Sequence, residues 1–103
     1  MSAFEAIAEP TRRRIVELLA DGERSAGEIA SHFETSRPGI SRHLRVLHEH
    51  GLVNARVDGT RRLYSLDPAP LAEVDEWLER YRCFWTNRLD ALDTEIRRRR
   101  RKT

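Results

Sequence analysis

The sequence predicts a mainly α fold of about five helices carrying one two-stranded β-hairpin. Three observations predict it. Ile40, Leu44 and Leu47 recur at helical spacing between a serine suited to capping, Ser36, and a terminating glycine, Gly51. The apolar period falls to two over Leu52 to Leu66, around Asp58-Gly59. Beyond Pro70 an apolar stripe runs to Ile96 without another glycine or proline.

The elements follow in order. Ala3 to Ala8 reads as a short helix anchored by Phe4 and Ile7. Pro10 opens a second helix whose inner face is Ile15, Leu18 and Leu19, and Asp21-Gly22 stops it. Arg12, Arg13 and Arg14 at its start oppose the helix dipole; they face either phosphate or solvent. Ser25-Ala26-Gly27-Glu28 has the form of a capping box, and opens a third helix with Ile29 and Phe33 inside. After a short turn at Glu34-Thr35, Ser36 starts the fourth helix, with Pro38 in a first turn that lacks helical N–H partners anyway.

At about 100° per residue, Ser41, Arg42, Arg45 and Glu49 of this helix point away from the buried stripe, together with Pro38. Two arginines and a serine aimed outward suit a DNA major groove, where Arg forks onto guanine. An ordinary surface helix with solvated charges fits this one segment equally well. The two short helices and their turn make a helix-turn-helix.

Val53, Ala55 and Val57 then alternate with Asn54 and Arg56, and Asp-Gly is a strong two-residue hairpin signal. This turn places Val57 opposite Thr60, Ala55 opposite Arg62 and Val53 opposite Tyr64, with Tyr64 and Leu66 on the buried face. Arg56 and Arg61 become cross-strand neighbours, which is unfavourable unless an anion lies between them. A hairpin directly after a helix-turn-helix is a wing.

Asp67 can cap a last helix beginning near Pro68 or Pro70. Leu71, Leu78, Trp85 and Leu92 repeat every seven residues, with Val74 and Tyr81 between, and the stripe drifts to Leu89 and Ile96. About 27 residues give a helix ~40 Å long, more than so small a domain covers. Part of the stripe, with Trp77, Tyr81, Phe84 and Trp85, is expected on a second chain.

Charge is unevenly placed. The 103 residues carry a net +2, yet all 17 acidic residues precede Arg97, and residues 97–102 are all basic. Residues 1–96 are therefore net −4, while Arg37 to Arg62 holds six arginines against two acids. A basic island on an acidic body is the footprint of a phosphate-binding face. Residues 1–96 read as one domain and 97–103 as a basic tail with affinity for polyanions. No apolar run approaches the ~20 residues of a membrane span, and MSAFEAIAEP lacks the features of a secretory signal. Cys83, the one cysteine, allows no intrachain disulfide, which fits the cytoplasm.

EPTRRRIVELL, GEIASHFETSRPGISRHLRVLHEHGLV and GTRRLYSLDP together resemble the ArsR/SmtB family of bacterial winged-helix transcription factors, over about residues 4–96. The resemblance implies a homodimer joined through its first and last helices, a recognition helix at Arg37–His50, and a wing touching double-stranded DNA. By position it implies DNA contacts at Ser36, Arg37, Ser41, Arg42, His43 and Arg45, with Arg61 and Arg62 on the wing. It adds Phe4 and Ile7 to Trp77, Tyr81, Phe84 and Trp85 as dimer-interface residues. Many relatives of this family sense metals. Their thiolate positions fall here on Ser25 and Gly27, and no His follows His50, so neither usual site has its ligands. No metal or other cofactor is expected.

The expected function is a sequence-specific DNA-binding regulator, more often a repressor than an activator, on an inverted repeat. The alternative is a winged helix used only to bind proteins. An enzyme has little support: there is no Gly-rich phosphate loop and no Cys/His pair with nucleophile spacing.

Overall fold

The computed structural model describes the backbone of residues 2–101 and the side chains of residues 2–99. The chain forms two compact units, Met1–Glu73 and Val74–Thr103. The elements are α1 (Ala3–Ile7), α2 (Pro10–Ala20), β1 (Arg24–Ser25), α3 (Ala26–Ala30), α4 (Arg37–Glu49), β2 (Val53–Asp58), β3 (Arg61–Leu66), a 3-10 turn (Ala69–Leu71) and α5 (Ala72–Arg101).

The first unit is held by aliphatic burial. Ile15, Ile29, Ile40, Leu44, Leu47, Leu52 and Val53 are almost wholly excluded from water, and each contributes roughly 1.5–3 kcal/mol. In α1 the buried residues are Ala3 and Ala6. Ile7 is half-buried and Phe4 faces outward, contrary to the expectation that Phe4 anchors this helix. Small residues let α1 lie close to its neighbours. The Ala3 N–H donates to the Glu73 carboxylate at the end of this unit.

α4 is bounded as its sequence requires. The Ser36 hydroxyl accepts the Gly39 N–H at 3.3 Å, which satisfies one orphan donor. At the other end Gly51 takes φ +77, while Gly51 N–H reaches His48 O and Leu52 N–H reaches Leu47 O, both at 3.0 Å. These paired bonds are a Schellman ending. The segment between α3 and α4 is longer than the Glu34-Thr35 turn expected, because α3 stops at Ala30.

The sheet corrects the sequence reading in two respects. It has three strands, ordered β1-β3-β2, because Arg24 and Ser25 pair with Tyr64 and Leu63. Its register is also shifted by two residues: Asp58 pairs with Arg61, Val57 with Arg62, Ala55 with Tyr64 and Val53 with Leu66. The turn is Gly59-Thr60, with positive φ at Gly59 alone, as in a type II′ hairpin. This register sets Asp58 against Arg61, with their charged groups 3.7 Å apart, in place of two opposed arginines. A shift of two keeps every side chain on its expected face, so Tyr64 and Leu66 still pack on the core. Leu63 is buried on the opposite face, whereas Ala55 and Val57 are exposed near the hairpin tip.

Asp67 Oδ1 accepts the Ala69 N–H at 3.1 Å, so the chain enters α5 through the 3-10 turn. α5 is 30 residues long and continues through the expected basic tail to Arg101; Lys102 and Thr103 lie outside the described residues. Every described side chain from Tyr81 to Arg99 is exposed.

Candidate nucleic-acid interface

The outward face of α4 is created by its inward one. Burying Ile40, Leu44 and Leu47 leaves Arg37, Pro38, Ser41, Arg42, Arg45, His48 and Glu49 exposed. Ser41, Arg45 and His48 lie toward the wing. With Leu44, Ala55, Arg56, Val57, Arg62 and Tyr64 they line a groove of about 540 Å³ between α4 and the hairpin. The structure thus brings Ser41, Arg45 and Arg62 together. It adds His48 and Tyr64, which sequence reasoning missed. The helical wheel could have supplied His48, seven residues after Ser41; Tyr64 depended on how far the hairpin reaches past the core.

The arginines divide by what already binds them. Among the described residues Arg37, Arg42, Arg45 and Arg62 make no ion pair. Arg56 is committed to Glu23, through Nε at 2.8 Å and Nη2 at 2.7 Å. Arg61 lies on the face opposite Arg62, 3.8 Å from Glu28 and 3.7 Å from Asp58. Among the described residues these four unpaired guanidinium groups lie on α4 and on the groove side of the wing, while Arg13 on α2 and Arg80, Arg88 and Arg98 on α5 also lack an ion pair. Ser36 is exposed, but its hydroxyl is already used in capping.

His43 is half-buried at the helix edge, with Nδ1 3.7 Å from Glu9 Oε2. Burial works against the Glu9 carboxylate. Hydrogen bonds from the Arg12 and Thr11 N–H groups outweigh it, and with His43 nearby they hold Glu9 below its ordinary value. His50 donates from Nδ1 to Val46 O at 2.8 Å, and its buried Nε2 has no hydrogen bond and lies 3.5 Å from Glu5. These two histidines face the body of the unit, away from the exposed row.

On α5, Trp77, Tyr81, Phe84 and Trp85 are each 39–60 % exposed, and Leu89, Leu92 and Ile96 continue the stripe. The Trp77 and Tyr81 rings are 5.0 Å apart and the Tyr81 and Phe84 rings 6.5 Å. Arg82 binds Asp75 and Glu79, while Arg97 binds Asp93 and Arg99 binds Glu95. Cys83 is exposed. At the family's thiolate positions, the Ser25 hydroxyl accepts the Glu28 N–H and Gly27 offers no side chain. Among the described residues no three His, Cys, Asp or Glu side chains converge as a metal site would require.

A short helix, a turn, a capped second helix with unpaired arginines outward and a hairpin alongside define a winged helix-turn-helix protein, a class that reads DNA with its second helix. Residues 9–55 match the family described as "Bacterial regulatory protein, arsR family". The chain is 48 % identical over 87 residues to the HTH-type transcriptional regulator Rv2034 of Mycobacterium tuberculosis, covering 84 % of this chain and 78 % of that protein. It is 39 % identical over 77 residues to the transcriptional repressor SdpR of Bacillus subtilis, covering 75 % and 86 %. A crystal structure described as a possible transcriptional regulator for arsenical resistance superposes with a TM-score of 0.71 at 46 % identity, over 92 % of this chain and 96 % of that one. The chain belongs to the ArsR family. It is a DNA-binding transcriptional regulator and not an enzyme.

Proposed function

We propose that this regulator is a cytoplasmic repressor that acts as a homodimer on an inverted-repeat operator. The observation that carries the reading is the pairing of two exposed faces: unpaired arginines on α4 and the wing, and aromatic residues along α5. Ser41, Arg42 and Arg45 read base edges, with Ser36 and Arg37 at the helix start, while His43, turned toward Glu9, borders this row without reading bases. Arg62 meets the backbone from the groove side of the wing, and Arg61, 3.7 Å from Asp58 at the hairpin tip, reaches it only where phosphate displaces that carboxylate. Trp77, Tyr81, Phe84 and Trp85, together with Phe4 and Ile7, bury one another across a two-fold axis. A monomer would leave this apolar face in water. Residues 1–96 act as one DNA-binding and dimerising domain, and the basic tail adds non-specific attraction to polyanions. That SdpR is named a repressor supports repression. No helix among the described residues is long and apolar enough to cross a membrane, which accords with a cytoplasmic site of action.

The releasing signal is not a metal at the family's usual sites, because Ser25, Gly27 and the His-free last helix lack the donors. Selection of bound duplexes from a random pool tests the whole reading. The expected product is an inverted repeat whose half-sites lie about 34 Å apart, bound by two chains, with affinity that falls steeply as salt rises. A direct or single half-site bound by one chain would overturn the dimer. Salt-independent capture would favour the protein-interaction alternative. Chelator followed by Zn, Ni, Cd or arsenite should change affinity by less than about tenfold. A larger effect that vanished in Cys83→Ser would place a new thiolate site across the dimer.

A further inference from the structure

We infer that Glu23 and Arg56 form a positioning pair that sets the wing for DNA, and that Arg56, although basic and on the wing, is not itself a phosphate contact. The inference rests on the reading of the wing as a DNA-contacting element.

Ser25, Leu63 and Arg56 stand in one row across β1, β3 and β2, on one face of the sheet. Glu23 immediately precedes β1. To meet it, the Arg56 side chain reaches over β3, about two strand spacings of ~4.8 Å. Both guanidinium contacts are short and use both carboxylate oxygens, a fork-to-fork arrangement that fixes direction as well as distance. The side-chain hydrogen bond to Arg56 is the main cause that holds the Glu23 carboxyl below its ordinary value.

The hairpin otherwise has few restraints beyond its base. Val53 is buried, but Ala55, Arg56, Val57 and Asp58 are exposed, as are the turn residues Gly59 and Thr60. The fork ties the outer strand to the segment that follows α2. Arg61 adds a looser tie to Glu28 at the start of α3 on the same face. The other face, with Arg62 and Tyr64, is left open toward α4. Arg56 also borders the groove, but its guanidinium is held by Glu23, whereas among the described residues Arg62 lines the groove without an ion pair. The sequence count of six arginines treats these two alike; the geometry separates them.

The test uses the full chain and a labelled duplex recovered by selection, with affinity measured across a salt series for Glu23→Gln, Arg56→Gln, the swap Glu23→Arg/Arg56→Glu, and Arg62→Ala. The positioning role predicts that each of the two single Gln variants weakens binding about three- to fivefold, in the range of an exposed ion pair. The salt slope stays unchanged and the swap recovers most of the loss. If Arg56 instead binds phosphate, Arg56→Gln lowers the slope by about one, and Glu23→Gln, which frees the arginine, tightens binding. That result overturns the inference. Unchanged affinity in both Gln variants while Arg62→Ala weakens binding overturns the pair alone. An unaffected Arg62→Ala shows that the wing does not touch DNA, and the inference falls with it. Thermal melting of each variant separates these outcomes from unfolding.

Discussion

Arg12 Nε donates to the carbonyl oxygen of Ala6 at 2.6 Å, and its Nη2 reaches the Glu5 carbonyl oxygen at 3.2 Å. A side chain of α2 thereby closes the C-terminal end of α1. At five residues α1 is too short to persist alone, and its last carbonyls lack helical partners. A cation is favourable there for the same reason that it is unfavourable at its own helix start. Arg14 is also engaged, its guanidinium carbon 4.7 Å from the centre of the Phe33 ring. The charge run that opens α2 therefore serves the fold at two of its three positions. Arg12→Ala should cost about 1–2 kcal/mol in urea unfolding, because two carbonyls lose a charged donor. The salt dependence of DNA binding should not change; a slope reduced by about one would assign Arg12 to phosphate.

The α4 arginines and the wing arginine should separate in their effects on DNA. Arg42→Ala or Arg45→Ala is expected to cost ~1–3 kcal/mol on the selected operator and to relax preference at particular base pairs. Arg62→Ala should weaken selected and mixed-sequence duplexes alike, with a shallower salt slope. Anisotropy titrations on both duplexes make the comparison. Parent-like operator binding by both α4 variants would remove α4 from base reading.

Trp85→Ala should shift the chain toward monomer in sedimentation at micromolar concentration, since large aromatics dominate interface energies. A parent protein that sediments as a stable folded monomer would leave the α5 stripe without its proposed partner.

Acid should weaken the start of α3. The Ser25 N–H donates to the Glu28 carboxylate at 3.2 Å, and this bond, with the Ser25 hydroxyl and Arg61 nearby, holds Glu28 below its ordinary value of 4.5. The unfolded chain therefore takes up this proton first as pH falls. The stabilisation is complete above about pH 4.5 and is lost as pH drops through the lower folded value. Glu28→Gln keeps an acceptor for Ser25 but cannot titrate. Its melting temperature should fall less steeply with pH than the parent's between neutrality and acid. Parallel curves would show that the carboxylate contributes nothing.

Local chemistry was legible without coordinates. Ser36 and Gly51 bound α4 because a hydroxyl can satisfy a first-turn N–H and glycine tolerates positive φ, and both preferences belong to single residues. The capping box at Ser25 and Glu28, the inward stripe of α4, and the outward directions of Ser41, Arg42 and Arg45 follow from spacing alone. The family could be recognised from the segments that carry these same residues.

Tertiary structure decided what spacing leaves open. A two-residue change in hairpin register preserves every side chain's face, so periodicity could not distinguish Val57 opposite Thr60 from Val57 opposite Arg62. The third strand needed the chain beside β3, which no local pattern specifies across the 38 residues from Ser25 to Leu63. Whether an arginine is free also depends on carboxylates far away in sequence. Glu23 claims Arg56 from 33 residues before it, and Arg12 turns back onto α1, while among the described residues Arg42, Arg45 and Arg62 make no ion pair. Sequence determined which groups are charged and which way each element faces. Only folding determined which of those charges had already met their partners, because pairing is a property of distances between elements.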